Sequence, residues 1–523
     1  MSKKFYYTAF IGLLILIMLL RVYHLDILPL SMHIDESGLG LNAWAIANYG
    51  TDRYGNVFPI CPINFYGEQS AFYTYFCALL VKLFGLNIYT LRLPGVIMGM
   101  VAVVFGALIF KEKWGNKGLF TGLILMGIFP YFVMNSRFAL DCNAMLGMLT
   151  LALYSLTRLM KKVEAEPQGK FYGHFALTGV LFGLVLYTYI IAAIVIAVFG
   201  VLFGVYYLFY QKENKGQRLM QLICLALPLF IMVIPLVLVV CVNYFGLEPI
   251  VTPFFSIPRM AINRTEEVAF SLSALPSKIK GILHTLTTDG KYGSSDTYWT
   301  MYRISVPFVL LGGLFSMVEA IKGLKKRSWT TDAGMLFLVV AESIMFVLCG
   351  LYNYHINGIF IALAYFCVKG ILCVYDFMKH RAIKGVYVAV LICLYATSFA
   401  GFASEYFGKS ETITFQVYGG IEEALSLLTP EQREGVIYIM DDVGEFYFLT
   451  NPISPEEFVA GCDELGYIKD YGNLHFYEPK TYEENHVYVC TKASGRYHIF
   501  SDSSVTGHAY SVKETEHYYV FYK

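Results

Sequence analysis

The sequence predicts an α-helical polytopic membrane protein that ends in a small extracytoplasmic α/β domain. Three observations carry that reading. The 523 residues are 57% hydrophobic and 15% charged, and the mean hydropathy is +0.55, above what soluble globular chains carry. Apolar runs near the roughly 20 residues that cross a bilayer recur between residues 5 and 401. Beyond about residue 404 the long runs stop and short alternating segments begin.

The elements follow in order. Met1 to Lys4 is a short basic start and Phe5 to Leu20 an apolar core; Arg21 follows and no small-x-small cleavage site appears, so the segment reads as a retained anchor. Spans are expected at about 5–22, 94–110, 118–134, 143–160, 171–188, 190–210, 219–243, 303–321, 333–350, 356–376 and 384–401. Ala71 to Phe84, at 14 residues, is too short to cross without strain and is decided by parity. If it lies along the membrane surface, the basic loops 111–117, 161–170, 211–218, 321–328 and 379–384 share a side with Met1, as the positive-inside bias requires. Eleven spans follow, with the N-terminus inside and the C-terminus outside, and a long first external loop, 22–93, that carries an interfacial helix.

A second external loop covers 244–302, and the membrane domain as a whole covers 1–403. In the tail, 404–523, GIEEALSLL reads as helix, GVIYIM and HVYVC as strands, and HYYVFYK as a final edge strand. Such a tail is long enough to hold its own core. Most of the 11 cysteines lie in apolar runs, whereas Cys462 and Cys490 sit in the polar tail, where a disulfide is open to them in an oxidising compartment. Formal net charge is zero, which gives no case for nucleic acid. No internal repeat, glycine-rich phosphate loop or CxxC spacing occurs.

This topology gathers the unusual polar residues on one side. His33, Asp35, Glu36, Asp52, Arg53, Glu68 and Arg92 belong to the first external loop, and Arg137 and Asp141 to the next, in NSRFALDCN. Arg259 lies in the large loop, and Asn353, His355 and Asn357 lie in the later turn YNYHIN. Acids and cations held at an outer membrane surface suit chemistry on a charged group presented there. Each also has a plainer reading. Asp35 or Ser37 could cap the helix that runs to Asn48 and stops at Gly50. Arg92 and Arg137 could snorkel, Arg137 could pair with Asp141 one turn on, Glu68 could be a solvated loop acid, and the Asn353, His355 and Asn357 group could be polar glue between helices. Two consecutive acids beside His33, just beyond a membrane helix, exceed what capping needs.

The order of motifs in the first 145 residues resembles the GT-C glycosyltransferases, in the branch of protein O-mannosyltransferases and lipid A aminoarabinose transferases (glycosyltransferase family 39-like). The matching stretches are HIDESGLGLNAWA, GTDRYGNVFP, GEQSAFYTYF, LFGLNIYTLRLP and SRFALDCN. The resemblance implies the GT-C fold, a bacterial member in the cytoplasmic membrane, Asp35 as the catalytic acid with Glu36 beside it, and Arg92 as a luminal-side arginine. Family members often show His-Pro-Pro-Leu where this chain has Gly67 to Ser70, so a protein acceptor is not implied; glycan and lipid acceptors stand equally. Nucleotide sugars are cytosolic, so acids on the outer face call for a donor such as a polyprenyl phosphate sugar. Its departing phosphate suits fixed cations, for which Arg92, Arg137, Arg259 and His355 are candidates. A carboxylate with an ordinary pKa near ~3.9 is ionised at neutral pH and can take the acceptor's proton. Asp35 is expected as that base, with inversion implied by the resemblance; Asp141 and Glu36 would orient the acceptor or the arginines. Isolated acids could assist a divalent ion, though no ligand cluster demands a cofactor. Two other classes stay open: a polymerase or ligase moving a whole lipid-linked glycan, and a transporter or flippase, which would place charges near span centres in two related halves.

Overall fold

The computed structural model describes residues 3–29, 32–65, 67–209, 215–260, 273–287, 300–349, 357–408, 420–441, 444–501 and 506–523. In chain order the first elements are α1 (Lys3–Val22), α2 (Ile34–Tyr49), the short strands β1 (Ile63–Asn64) and β2 (Gly67–Glu68), α3 (Ala71–Phe84), α4 (Ile88–Ile128) and α5 (Pro130–Asn135). Next come α6 (Asn143–Ala165), α7 (Tyr172–Thr188), α8 (Ala192–Phe209), α9 (Lys215–Asn243), β3 (Ile250–Val251), β4 (Ser256–Ile257) and α10 (Leu275–Thr287). The chain continues through α11 (Val306–Lys326), α12 (Thr331–Cys349), α13 (Ile359–Phe377) and α14 (Arg381–Gly408). The tail holds α15 (Gly420–Ser426), α16 (Pro430–Glu434), β5 (Ile437–Ile439), α17 (Gly444–Thr450), α18 (Pro455–Ala460), β6 (Asp470–Tyr471), β7 (Leu474–His475), β8 (Val487–Thr491), β9 (Ser511–Glu514) and β10 (Tyr518–Tyr522).

The protein is a mostly helical, multi-pass membrane chain. Among the described residues, seven helices are long and apolar enough to cross a bilayer, and Tyr6–Val22, Ala71–Phe84 and Tyr172–Thr188 are shorter apolar helices. One of the seven, α4, is two helices: Gly115 adopts φ 60° and ψ −143°, so the expected loop 111–117 shrinks to a break at one glycine. The span expected at 118–134 ends at Ile128, because Phe129 is extended and Pro130 restarts the chain as α5. Helix α6, expected as a span, is buried along most of its length, so its neighbours are protein rather than lipid.

By contacts the chain divides into two units. One comprises residues 1–25, 92–238 and 265–409, the other residues 26–91, 239–264 and 410–523. The first is the helical body. Within it α11 and α13 approach through glycine: a Cβ at Gly312 would lie 1.8 Å from the Phe366 carbonyl oxygen, and one at Gly370 would lie 2.1 Å from that of Phe308. Small residues at such crossings let membrane helices pack where no hydrophobic force draws them together. Gly312→Leu is therefore expected to destabilise the body by about 1–3 kcal/mol, since backbone cannot move aside as a side chain can; a lower thermal unfolding midpoint in one fixed lipid checks it. The body also buries an ionic cluster. Asp332 of α12 accepts from Ser316 Oγ at 2.9 Å, Tyr365 Oη at 3.0 Å and Lys369 Nζ at 2.6 Å, and also from Lys113 Nζ.

The second unit joins three segments far apart in sequence. Helices α2 and α3 pack together, and α17 of the tail packs on α2. The β3–β4 hairpin reaches the first loop where the Ile60 amide donates to the Ser256 carbonyl at 3.0 Å. The tail folds into a six-stranded mixed sheet in the order β6-β7-β5-β8-β10-β9, with β5 parallel to both β7 and β8. The strand expected at the edge, β10, is internal. It lies between β8 and β9 with Tyr518, Val520 and Phe521 buried, and the polar β9 is the edge. Cys462 and Cys490 are free thiols, Cys490 inside the sheet core and Cys462 bonded to the Phe458 carbonyl at 3.2 Å.

Candidate active site

Helix α2 starts at the stretch that joins two acids to a histidine. Its N-cap is His33 rather than Asp35 or Ser37. The ring Nδ1 accepts from the Asp35 amide at 3.1 Å, and Glu36 Oε2 accepts from the His33 amide at 2.9 Å, which closes a capping box. Ser37 turns its hydroxyl to the Ile34 carbonyl. Gly50 ends the helix in the left-handed region, as the sequence implies. The two acids thus differ. Glu36 is fully buried and holds the cap, whereas the Asp35 side chain is 40% exposed with Oδ2 3.2 Å from His33 Nδ1. In the neutral ring, Nδ1 accepts the amide proton; in the doubly protonated ring, it would donate to the carboxylate instead. A half-exposed carboxylate beside an imidazole is a ready proton acceptor.

Capping also separates the acids by experiment. Glu36→Ala is expected to lower stability by about 1 kcal/mol, and Glu36→Gln to restore it, because a glutamine oxygen can accept the same amide. Thermal unfolding of the two variants in the same lipid measures the difference.

The same unit holds Asp52, Glu68 and Arg259. Asp52 is buried and accepts from the amides of Tyr54, Asn56 and Ile63, which fixes the GTDRYGN turn; burial raises its carboxyl above the usual range against those donors. Glu68 is buried in β2, opposite Ile63. Arg259 is exposed, with Nη2 bonded to the Leu247 carbonyl at 2.7 Å.

The helical body holds the rest. Arg92 is buried, with Nη1 3.0 Å from the Leu25 carbonyl. Arg137 is buried and donates to the carbonyls of Leu20, Arg21, Tyr23 and His24, where it closes the C-terminal turn of α1. Asp141 is half-buried, and its Oδ1 accepts from the Cys142 amide at 2.7 Å. Asn357 accepts from Tyr131 and Asn135 and donates to the Cys142 carbonyl at 2.7 Å, tying α5, the α6 start and the α13 start. Asn353 and His355 lie outside the described residues. Among the described residues, no group of three or more His, Cys, Asp or Glu is arranged to hold a metal ion.

Sequence reasoning passed over Glu342, a fully buried acid of α12 whose carboxyl lies so close to Gly358 that a Cβ there would sit 2.1 Å from Oε1. Its signal was present, as a lone acid in the run LFLVVAESIMFVL, where intramembrane charge is expensive.

Comparison with known proteins agrees with this architecture. Residues 68–239 match the family model described as dolichyl-phosphate-mannose-protein mannosyltransferase. The structure is similar to ArnT from Cupriavidus metallidurans bound to undecaprenyl phosphate, at 14% identity and a TM-score of 0.58, over 99% of this chain and 98% of that one. The apo state of the same ArnT gives 13% identity and a TM-score of 0.55, over 98% of both chains. The apo oligosaccharyltransferase from Archaeoglobus fulgidus gives 13% identity and a TM-score of 0.52, over 98% of this chain and 73% of that one. No curated protein sequence matches the chain. The chain therefore shares the fold of these membrane proteins, and one segment of it, residues 68–239, matches the mannosyltransferase family model.

Proposed function

We propose that the protein is a membrane glycosyltransferase that moves a sugar from a polyprenyl-phosphate donor to an acceptor hydroxyl on the extracytoplasmic face. The observation that carries this reading is the division of labour at α2, where Glu36 closes the cap and Asp35 is left half-exposed beside His33. The similarity to ArnT, solved with undecaprenyl phosphate, and the match to a dolichyl-phosphate-mannose-protein mannosyltransferase model support a lipid-linked donor. Asp35 accepts the acceptor's hydroxyl proton. The freed oxygen attacks the anomeric carbon from the side opposite the phosphate, the carbon–oxygen bond to phosphate breaks, and polyprenyl phosphate leaves with the electron pair. The configuration inverts. Arg259, exposed and in the same contact unit as Asp35, is the cation we assign to the leaving phosphate. Glu68 lies in that unit too, and Asp141, Arg92, Arg137 and Asn357 of the helical body are kept as further candidate residues of the reaction.

The N-terminus lies inside a bacterial cytoplasmic membrane and the tail outside. Assembly of the first loop, part of the second loop and the tail into one unit supports their sharing a side. A second reading, transfer of a whole lipid-linked glycan, is favoured by the similarity to the archaeal oligosaccharyltransferase. Purified protein in lipid, given a panel of radiolabelled polyprenyl phosphate sugars and pyrophosphate-linked oligosaccharides with envelope extract as acceptor, is expected to release polyprenyl phosphate from one of the phosphate sugars. Release only from pyrophosphate-linked oligosaccharides would establish the second reading, and release from neither would overturn both.

A further inference from the structure

Arg53 is 2% exposed, yet it carries a charge. Its guanidinium sits over three rings, Tyr54 at 5.0 Å, Phe65 at 5.1 Å and Phe458 at 5.4 Å. Nη2 donates to Tyr54 Oη at 3.1 Å, and among the described residues Nε and Nη1 have no hydrogen-bond partner. Two unmet donors on a buried cation cost roughly 1–3 kcal/mol each, and a hydrophobic side chain of similar volume would fill such a box with no such penalty. What a flat, charged group supplies here is position.

Its place is a three-way junction. On one side is α2: a Cβ at Gly38 would fall 2.5 Å from Arg53 Nη1 and 1.8 Å from Asn64 Oδ1, so both side chains press on the bare backbone there. Gly38 is one turn after Asp35 and on the same face, and Asn64 Nδ2 reaches the Asp35 carbonyl at 3.5 Å. On the other side is the tail. Phe458 belongs to α18, the Tyr54 hydroxyl donates to the Gly466 carbonyl at 2.8 Å, and the Phe65 ring lies 5.5 Å from that of Tyr467. The negative charge of Glu445 on α17 favours the charged guanidinium. The tail therefore grips the first loop at the point where that loop touches the first turn of α2.

We propose that Arg53 is a pin through which the C-terminal tail holds the first turn of α2, and with it Asp35, in its working position. Arg53 is thus a positioning residue, and the tail is part of the catalytic unit rather than an appended module. The functional half of this inference rests on the reading of Asp35 as the base; the mechanical half does not.

The test uses the full-length protein in lipid nanodiscs and two readouts, hydrogen exchange of the amides of residues 35–42 and steady-state turnover. Arg53→Met and Phe458→Ala are expected to speed exchange in the first turn of α2 about tenfold, without a matching rise in the tail sheet. They are also expected to lower kcat about tenfold, with KM for the lipid donor within about twofold. Arg53→Lys, which keeps charge but not the planar fork, should fall between, and Lys513→Ala on β9 should change neither readout. If Phe458→Ala does not fold, Phe458→Leu and Gly38→Ala probe the two sides of the pin. Unchanged exchange at α2 overturns the pin whatever turnover does, and so does exchange that rises equally throughout the unit. Faster exchange at α2 with unaltered turnover sustains the pin and removes Asp35 as the base.

Discussion

Asp35→Asn is expected to lower turnover about 10²- to 10⁴-fold, the usual contribution of a positioned general base. Asparagine preserves the size of the side chain and leaves the capping box untouched, because that box uses the Asp35 amide and the Glu36 carboxylate, not the Asp35 carboxylate. Folding should therefore be unaltered, and donor KM should move little if the carboxylate acts on the acceptor's proton rather than on the phosphate. Rates of polyprenyl phosphate release from matched wild-type and variant preparations decide it. A variant that turns over within a few-fold of wild type would show that the proton goes elsewhere, and Asp141 would be the next acid to change.

Asp332→Ala is expected to destabilise the helical body by about 3–5 kcal/mol, because removing one member of a buried ionic cluster leaves its partners' charge uncompensated. Lys369 suffers most. Its side chain is 4% exposed and loses the bond it makes to Asp332 Oδ1, whereas Lys113 is 27% exposed and can turn toward water. Asp332→Asn retains acceptors for Ser316 and Tyr365 and should lose less. Asp332→Leu combined with Lys369→Met removes both buried charges and should recover much of the stability. Thermal unfolding of the set in one lipid mixture gives the ranking; equal loss in the single and double variants would refute the assignment of the cost to stranded charge.

The fold was legible wherever a signal was local. Apolar run lengths located the helices, and Gly50 marked the end of α2, because a left-handed C-cap has few alternatives to glycine. The three segments of the second unit were marked by loss of hydropathy, but their assembly was not, since it depends on meetings such as Tyr54 with Gly466, far apart in sequence. The edge of the tail sheet was misread because chain order suggested that the last strand lies outermost, although the alternation in HYYVFYK against the polar SVKE already separates an interior strand from an edge. Helices α16 and α18 announce themselves by Thr429-Pro-Glu-Gln and Ser454-Pro-Glu-Glu, capping boxes with proline at the first turn. At the site, the chemistry of Asp35 and Glu36 could be read as a pair but not divided. Only the geometry of His33 shows that one of the two acids belongs to the backbone.

Helix α3 turns Tyr73, Cys77 and Val81 inward, while Leu79, Leu83 and Phe84 stand exposed. An apolar face on a helix too short to cross would settle at the boundary between headgroups and acyl chains, as a float. A float fixes depth. On the proposed reading, bilayers that swell or thin would raise or lower α3 and the α2 packed on it against the plane in which a lipid phosphate travels, so lipid composition would throttle the reaction even where no lipid head is specifically recognised. Encounter with the donor would then be a search confined to two dimensions, governed by how fast lipids diffuse past a site held at their own height.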